Sequence, residues 1–106
     1  MNKHEFKSSI YQEISNVGKA LSNPHRLRIL NLISQDDYSV EQIATEINAS
    51  IANASQHLQV LKKVKLLKTS KKGHYVIYSL SNKNDTPFGM LYKRLVWKTI
   101  QRFKPF

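Results

Sequence analysis

The sequence predicts a mainly α-helical domain with one small β-hairpin, in the order α-α-α-α-β-β-α. Three observations lead there. Apolar residues recur at steps of three and four from Phe6 to Leu61, the period of amphipathic helices. One β-branched and aromatic run, Tyr75-Val76-Ile77-Tyr78, follows a glycine, as a hairpin strand would. Helical spacing then resumes near Pro87. The 106 residues fit one domain spanning 1–106, because a single core commonly serves roughly 100–150 residues. No repeat, low-complexity tract or long linker divides them.

The first helix is expected over 5–21, where Phe6, Ile10, Ile14, Val17 and Leu21 form one stripe. Asn23 then caps a second helix whose first position is Pro24, a site where no N–H is needed. Leu27, Leu30 and Ile33, with Ile29 alongside, are its expected buried face. Gln35-Asp36-Asp37-Tyr38 breaks the pattern. Ser39 and Gln42 have the spacing of a capping box and start a third helix, with Val40, Ile43, Ala44 and Ile47 inward. It ends near Asn48, a residue that tolerates left-handed backbone. Ser50 caps a fourth helix almost at once. Two short helices joined by so tight a turn form a helix-turn-helix, here over 39–63.

In the fourth helix Ile51, Ala54, Leu58 and Leu61 are expected to face inward. The opposite face carries Ala52, Asn53, Gln56, Gln59 and Lys63, flanked by Ser55 and His57. A helix that needed only solubility would carry Glu and Lys pairs. This face has small side chains and amides instead, which suit close approach and hydrogen bonding to base edges; an ordinary polar surface is the alternative.

Strands 66–71 and 74–80 follow, joined by a Lys72-Gly73 turn with Gly taking positive φ. Lys71, Lys72 and His74 at the tip suit contact with phosphates, although lysine also solubilises edge hairpins. Coming directly after a helix-turn-helix, the hairpin reads as a wing, and the whole as a winged helix-turn-helix. A last helix is expected over 87–103. Its apolar surface, with Phe88, Leu91, Leu95 and Trp97, exceeds what a small core needs, as does that of the first helix. The two terminal helices are therefore expected to pair across a twofold axis, making a homodimer through Phe6, Ile10, Ile14, Phe88, Leu91, Leu95 and Trp97.

Charge and composition narrow the function. Seventeen Lys and Arg against seven Asp and Glu give a formal net charge of +10, a field that attracts polyanions. It is unevenly spread: after Glu46 the only acidic residue is Asp85, whereas Lys62, Lys63, Lys65, Lys68, Lys71 and Lys72 follow in quick succession. There is no cysteine, so disulfides and thiolate sites are excluded. The N-terminus has no apolar segment of a signal peptide and no run approaches the ~20 apolar residues of a membrane span; a cytoplasmic protein is expected. Nothing groups a nucleophile with a base, clusters carboxylates or forms a phosphate-binding glycine loop, so no enzyme and no catalytic residue is expected.

The segment Ala20-Leu21-Ser22-Asn23-Pro24-His25-Arg26-Leu27-Arg28-Ile29-Leu30 resembles the second-helix signature of the ArsR-type bacterial repressors. Ser39 to Ala44, Ala54-Ser55-Gln56-His57-Leu58, Leu61-Lys62 and the wing from Lys72 to Leu80 add to the likeness, which covers roughly Val17 to Leu80. Residues 52–59 are especially similar to a subgroup often fused to rhodanese domains. The resemblance implies a homodimer that binds an imperfect inverted repeat in its own promoter region and is released by an inducer. It also marks departures. Family metal sites use a Cys-x-Cys pair in the third helix, or Asp and His on the last helix with His and Glu from the dimer mate. This chain has no cysteine, and no histidine after His74. Its four histidines, His4, His25, His57 and His74, are scattered and read as surface or DNA-facing residues. No metal ligand and no cofactor is expected.

The expected partners are double-stranded DNA, a second copy of the chain, and an effector of unknown kind, either a small molecule or a protein. Ser55 and Gln56 are the first candidates for base contacts, then Asn53 and Gln59, with Ser50 at the helix start in the DNA-facing set. Lys62, Lys63, Lys71, Lys72 and His74 are the candidates for phosphate contact. Two other functions stay open: a non-specific architectural DNA-binding protein, and a winged-helix module that binds another protein.

Overall fold

The computed structural model describes residues 2–81 together with Arg94, Lys98, Thr99, Gln101 and Arg102. The expected helix over 87–103, with Phe88, Leu91, Leu95 and Trp97, lies outside the described residues apart from those five positions. The elements run α1 (Lys3–Leu21), α2 (Pro24–Gln35), β1 (Tyr38–Ser39), α3 (Val40–Ile47), α4 (Ile51–Lys63), β2 (Leu67–Lys72) and β3 (Tyr75–Leu80). The fold is the expected mainly helical one, with a three-stranded antiparallel sheet in place of a bare hairpin.

Local caps set the helix boundaries. Asn23 accepts from the Arg26 N–H at 3.1 Å, ahead of Pro24. Ser39 and Gln42 form the expected capping box, the Gln42 N–H donating to Ser39 Oγ at 3.2 Å and the Ser39 N–H to Gln42 Oε1 at 2.9 Å. Ser50 Oγ accepts from the Asn53 N–H at 3.0 Å. Asn48 takes the left-handed conformation, φ 55, where its amide side chain tolerates what most residues avoid. A second capping box, Asn2 with Glu5, starts α1 at Lys3, two residues before the expected boundary.

The core joins Val17 and Ala20 of α1, Ile29, Leu30 and Ile33 of α2, Ile43, Ala44 and Ile47 of α3, and Ala54, Leu58 and Leu61 of α4. Leu66, Leu67 and Tyr78 close it from the sheet side. Two apolar expectations change. Leu27 and Ile51 were placed inward by their spacing, yet both are exposed, because each sits in the first turn of its helix, at the margin of the core. In α1, Phe6 and Ile14 are exposed and Ile10 half-buried; the stripe meets this chain's own core only at its C-terminal end.

The sheet has the order β1-β3-β2. β1 falls where the sequence predicts only a break in the helical pattern: Tyr38 and Ser39 pair with Tyr78 and Ile77, and Ser39 is at once the strand end and the N-cap of α3. The hairpin register also differs. Lys72 pairs with Tyr75, so the loop is Gly73-His74 rather than Lys72-Gly73. Gly73 has φ +63 at the first loop position, where a tight two-residue hairpin needs positive φ.

α4 ends in a Schellman pattern, the Leu66 N–H donating to the Leu61 carbonyl at 3.1 Å and the Lys65 N–H to the Lys62 carbonyl at 2.9 Å. Lys65 occupies the left-handed position at φ 66, which glycine would fill without the Cβ clash. Lys65→Gly is expected to stabilise the chain by about 1 kcal/mol, the left-handed penalty of a Cβ less the chain entropy that glycine adds, read as a higher urea midpoint at unchanged slope.

Candidate nucleic-acid interface

The turn between α3 and α4 consists of Asn48, Ala49 and Ser50. The Ala49 N–H donates to the Ala44 carbonyl at 2.9 Å, which folds the chain back tightly enough for α4 to cross α3. The rotation of α4 about its axis follows from burial of Ala54, Leu58 and Leu61, all fully enclosed. Ala52, Asn53, Gln56, Gln59 and Lys63 are then exposed, with Ser55 and His57 half-buried at the flanks, as the sequence predicted. The first two turns of this face carry no charge, and Lys62 and Lys63 stand in the last turn, where the helix dipole favours cations.

The hairpin lies beside α4. A groove of about 530 Å³ runs between them, lined by Ser55, Gln59 and Lys62 on the helix and by Thr69, Ser70 and Lys71 among others on the sheet. Lys71, Lys72 and His74 are exposed at the hairpin end. The structure thus brings Ser55, Gln59, Lys62 and Lys71 to one groove. Gln56, Asn53 and Lys63 look outward from α4, and Ser50 is committed through its hydroxyl to the helix cap.

Gln59 is less free than its exposure suggests, because its Nε2 donates to the Tyr78 hydroxyl at 3.2 Å. Burial pushes the Tyr78 phenol upward in pKa, against the bond from Gln59, which lowers it. Tyr78 was expected only as a strand residue; here it fastens the α4 surface to the wing.

A second tie was not foreseen. Arg26, at the start of α2, donates through Nε to the Ala20 carbonyl at 2.6 Å and through Nη2 to the Lys19 carbonyl at 3.2 Å. Its Nη1 stands 3.3 Å from His57 Nδ1. A guanidinium can only donate, so Nδ1 accepts and the neutral ring carries its proton on Nε2. The His25 ring lies 5.5 Å away, centroid to centroid. Burial chiefly, then the charge of Arg26 and then His25, hold the His57 pKa below its ordinary value of 6.5. His57, expected on the surface or facing DNA, is instead a link between α4 and the end of α1. Among the described residues no group of three or more His, Cys, Asp or Glu is arranged to hold a metal ion.

Residues 23–69 match the family model of the bacterial regulatory proteins of the arsR family. The chain is 37% identical over 68 residues to the transcriptional repressor SdpR of Bacillus subtilis, covering 64% of this chain and 76% of that protein. It is 35% identical over 78 residues to the HTH-type transcriptional regulator Rv0324 of Mycobacterium tuberculosis, covering 74% of this chain but 34% of that protein, so it spans about a third of that relative's length. Its fold superposes with a TM-score of 0.74 and 26% identity on the homodimeric winged helix-turn-helix DNA-binding domain of Mb0332 from Mycobacterium bovis, covering 100% of this chain and 98% of that one.

Burial of His57, reinforced by the charge of Arg26, sets the sign of a pH effect. His57 holds a proton less tightly in the folded chain than in the unfolded one, so its contribution to stability is full above about pH 6.5 and is lost as pH falls through the lower folded value. Urea midpoints at about pH 7.5 and about pH 5 should show an acid loss that is smaller in His57→Gln. An equal loss in both proteins would remove His57 as its source.

Proposed function

The chain belongs to the arsR family of bacterial regulatory proteins, and from that membership we propose that it is a homodimeric, sequence-specific DNA-binding repressor. One observation carries the reading: a helix-turn-helix whose second helix has an exposed face of amides and small side chains, with lysines confined to its margin. In this reading α4 enters the major groove, where helix-turn-helix proteins place their second helix. Gln56 and Asn53 reach base edges directly. Ser55 and Gln59 act at the edge of the wing groove, and Ser50 holds the helix start. Lys62, Lys63, Lys71, Lys72 and His74 neutralise phosphates on either side, which gives affinity and register without sequence preference.

Dimerisation is proposed through α1, where Phe6 and Ile14 are exposed and Ile10 half-buried. Phe88, Leu91, Leu95 and Trp97 are proposed as the other part of the same surface. The homodimeric Mb0332 domain supports the assembly by likeness. Two copies would then place two α4 helices one DNA turn apart, roughly 34–36 Å, on an inverted repeat. The likeness of residues 52–59 to the rhodanese-linked subgroup belongs to the same proposal. Among the described residues no helix is long and apolar enough to cross a membrane.

Binding to DNA from upstream of its own gene, against random DNA across a salt series, tests the function. Tight binding with a large specificity ratio is expected; equal, steeply salt-dependent binding to both would replace the repressor by an architectural protein. Gln56→Ala should cost about 1–3 kcal/mol on the preferred site and little on random DNA. Lys72→Ala should weaken both alike and lower the salt slope by about 1. For the dimer, Phe6→Glu with Ile14→Glu is expected to sediment as a folded monomer, and a variant that stays dimeric would exclude α1 from the interface.

A further inference from the structure

Ile51 is out of place for a core residue. It follows the N-cap Ser50 and is 54% exposed, although its spacing groups it with the buried Ala54, Leu58 and Leu61. One helical turn on, its row continues to Ser55, which lines the wing groove. Ala52 beside it, also exposed, heads the row that continues to the exposed Gln56. In this first turn only Asn53 has a side chain able to hydrogen-bond. The Ser50 cap on the Asn53 N–H fixes the turn. A β-branched side chain in a helix keeps nearly one χ1 rotamer, so the apolar surface of Ile51 is presented in a fixed direction.

A solitary exposed apolar residue is ordinary on a protein surface. What distinguishes this one is its address. Recognition helices meet base edges with their N-terminal residues, and the edges they meet consist of donors and acceptors with one apolar group, the C5-methyl of thymine. Ile51 and Ala52 can satisfy no donor or acceptor. Against any other base edge they would cover polar atoms without replacing their hydrogen bonds, which is unfavourable. Against a thymine methyl they bury apolar surface on both sides.

We propose that Ile51, with Ala52 beside it, is a specificity-determining residue that selects thymine at one position of each half-site through its C5-methyl group. The inference rests on α4 being the major-groove helix.

The test uses the full chain and duplexes that it enriches from a random-sequence pool. Each thymine of the enriched site is replaced singly by deoxyuridine, which lacks only the methyl. One thymine in each half-site is expected to show about fourfold weaker binding on replacement, the factor that burial of one methyl-sized group supplies. Ile51→Ala should bind the two duplexes equally at that position while keeping its preferences elsewhere, and Ile51→Val should keep most of the difference. Since Ile51 is exposed, neither change threatens the fold. Enriched sites without a common thymine, indifference of the native chain to every replacement, or the same loss in Ile51→Ala would each overturn the proposal and leave the repressor reading standing. If no sequence is enriched, the repressor reading fails and this inference with it.

Discussion

The seam of Ala54, Leu58 and Leu61 on α4 is the constraint on which the rest depends. All three are fully enclosed, so the helix has one permitted rotation about its axis. A turn of one residue, about 100°, would carry Leu58 toward solvent and bring Ser55 or Gln59 toward the core. Exposing a leucine costs about 1.5–3 kcal/mol, and burying an unpartnered amide costs about 1–3 kcal/mol. Against a total stability of roughly 5–15 kcal/mol for a domain, those penalties leave no competing orientation. The outward face is thus a consequence of the inward one. The left-handed Asn48 and the capped Ser50 then fix the crossing of α4 over α3, so side-chain rotation is decided by the buried seam and helix direction by the turn.

Two polar ties hold α4 to elements on either side. Arg26 gathers the Ala20 and Lys19 carbonyls, acceptors of the kind that a helix leaves without partners at its C-terminal end, and with the same guanidinium reaches His57. Gln59 reaches Tyr78 in the central strand. The helix that exposes Phe6 and Ile14 and the helix that exposes Asn53 and Gln56 are therefore joined through one cation. A surface held in this way needs little ordering when it binds, and binding is stronger when less side-chain freedom remains to be lost.

What the sequence disclosed and what it hid divide by range of interaction. Asn23-Pro24, Ser39 with Gln42, Asn48 and Ser50 act within three or four residues, and each marked its boundary correctly. Asn2 with Glu5 carries the same kind of local signal as Ser39 with Gln42, but it stands ahead of Phe6, where the apolar period that marks α1 begins. β1 could not be found locally, because Tyr38 and Ser39 are a strand only by virtue of the edge that Tyr78 and Ile77 offer. The hairpin loop moved by one residue since pairing of Lys72 with Tyr75, and not composition, sets the register. Periodicity named the row to which Ile51 and Leu27 belong but not how far the core extends along it, so both were placed inside. Of the interface, the exposed amides and the lysines were legible as one helix face and one hairpin. Arg26 with His57, 31 residues apart, and Gln59 with Tyr78 depend on which elements pack together and left no local trace.

The placement of charge separates two tasks that DNA recognition must perform. A lysine among the first turns of α4 would strengthen binding to every sequence, because the phosphate field it answers is the same everywhere. Such a gain raises affinity without raising the ratio of specific to non-specific binding, and that ratio decides occupancy when competing sites are numerous. Here the cations stand at the end of α4 and along the hairpin, while the first turns carry an amide, a methyl and a branched apolar side chain. Each of these interacts differently with different base edges and hardly at all with a phosphate. The two kinds of residue are held apart by the same helix, its uncharged end forward and its lysines behind; in the proposed reading, a change of sequence preference at α4's first turns would leave the long-range attraction for DNA unaltered.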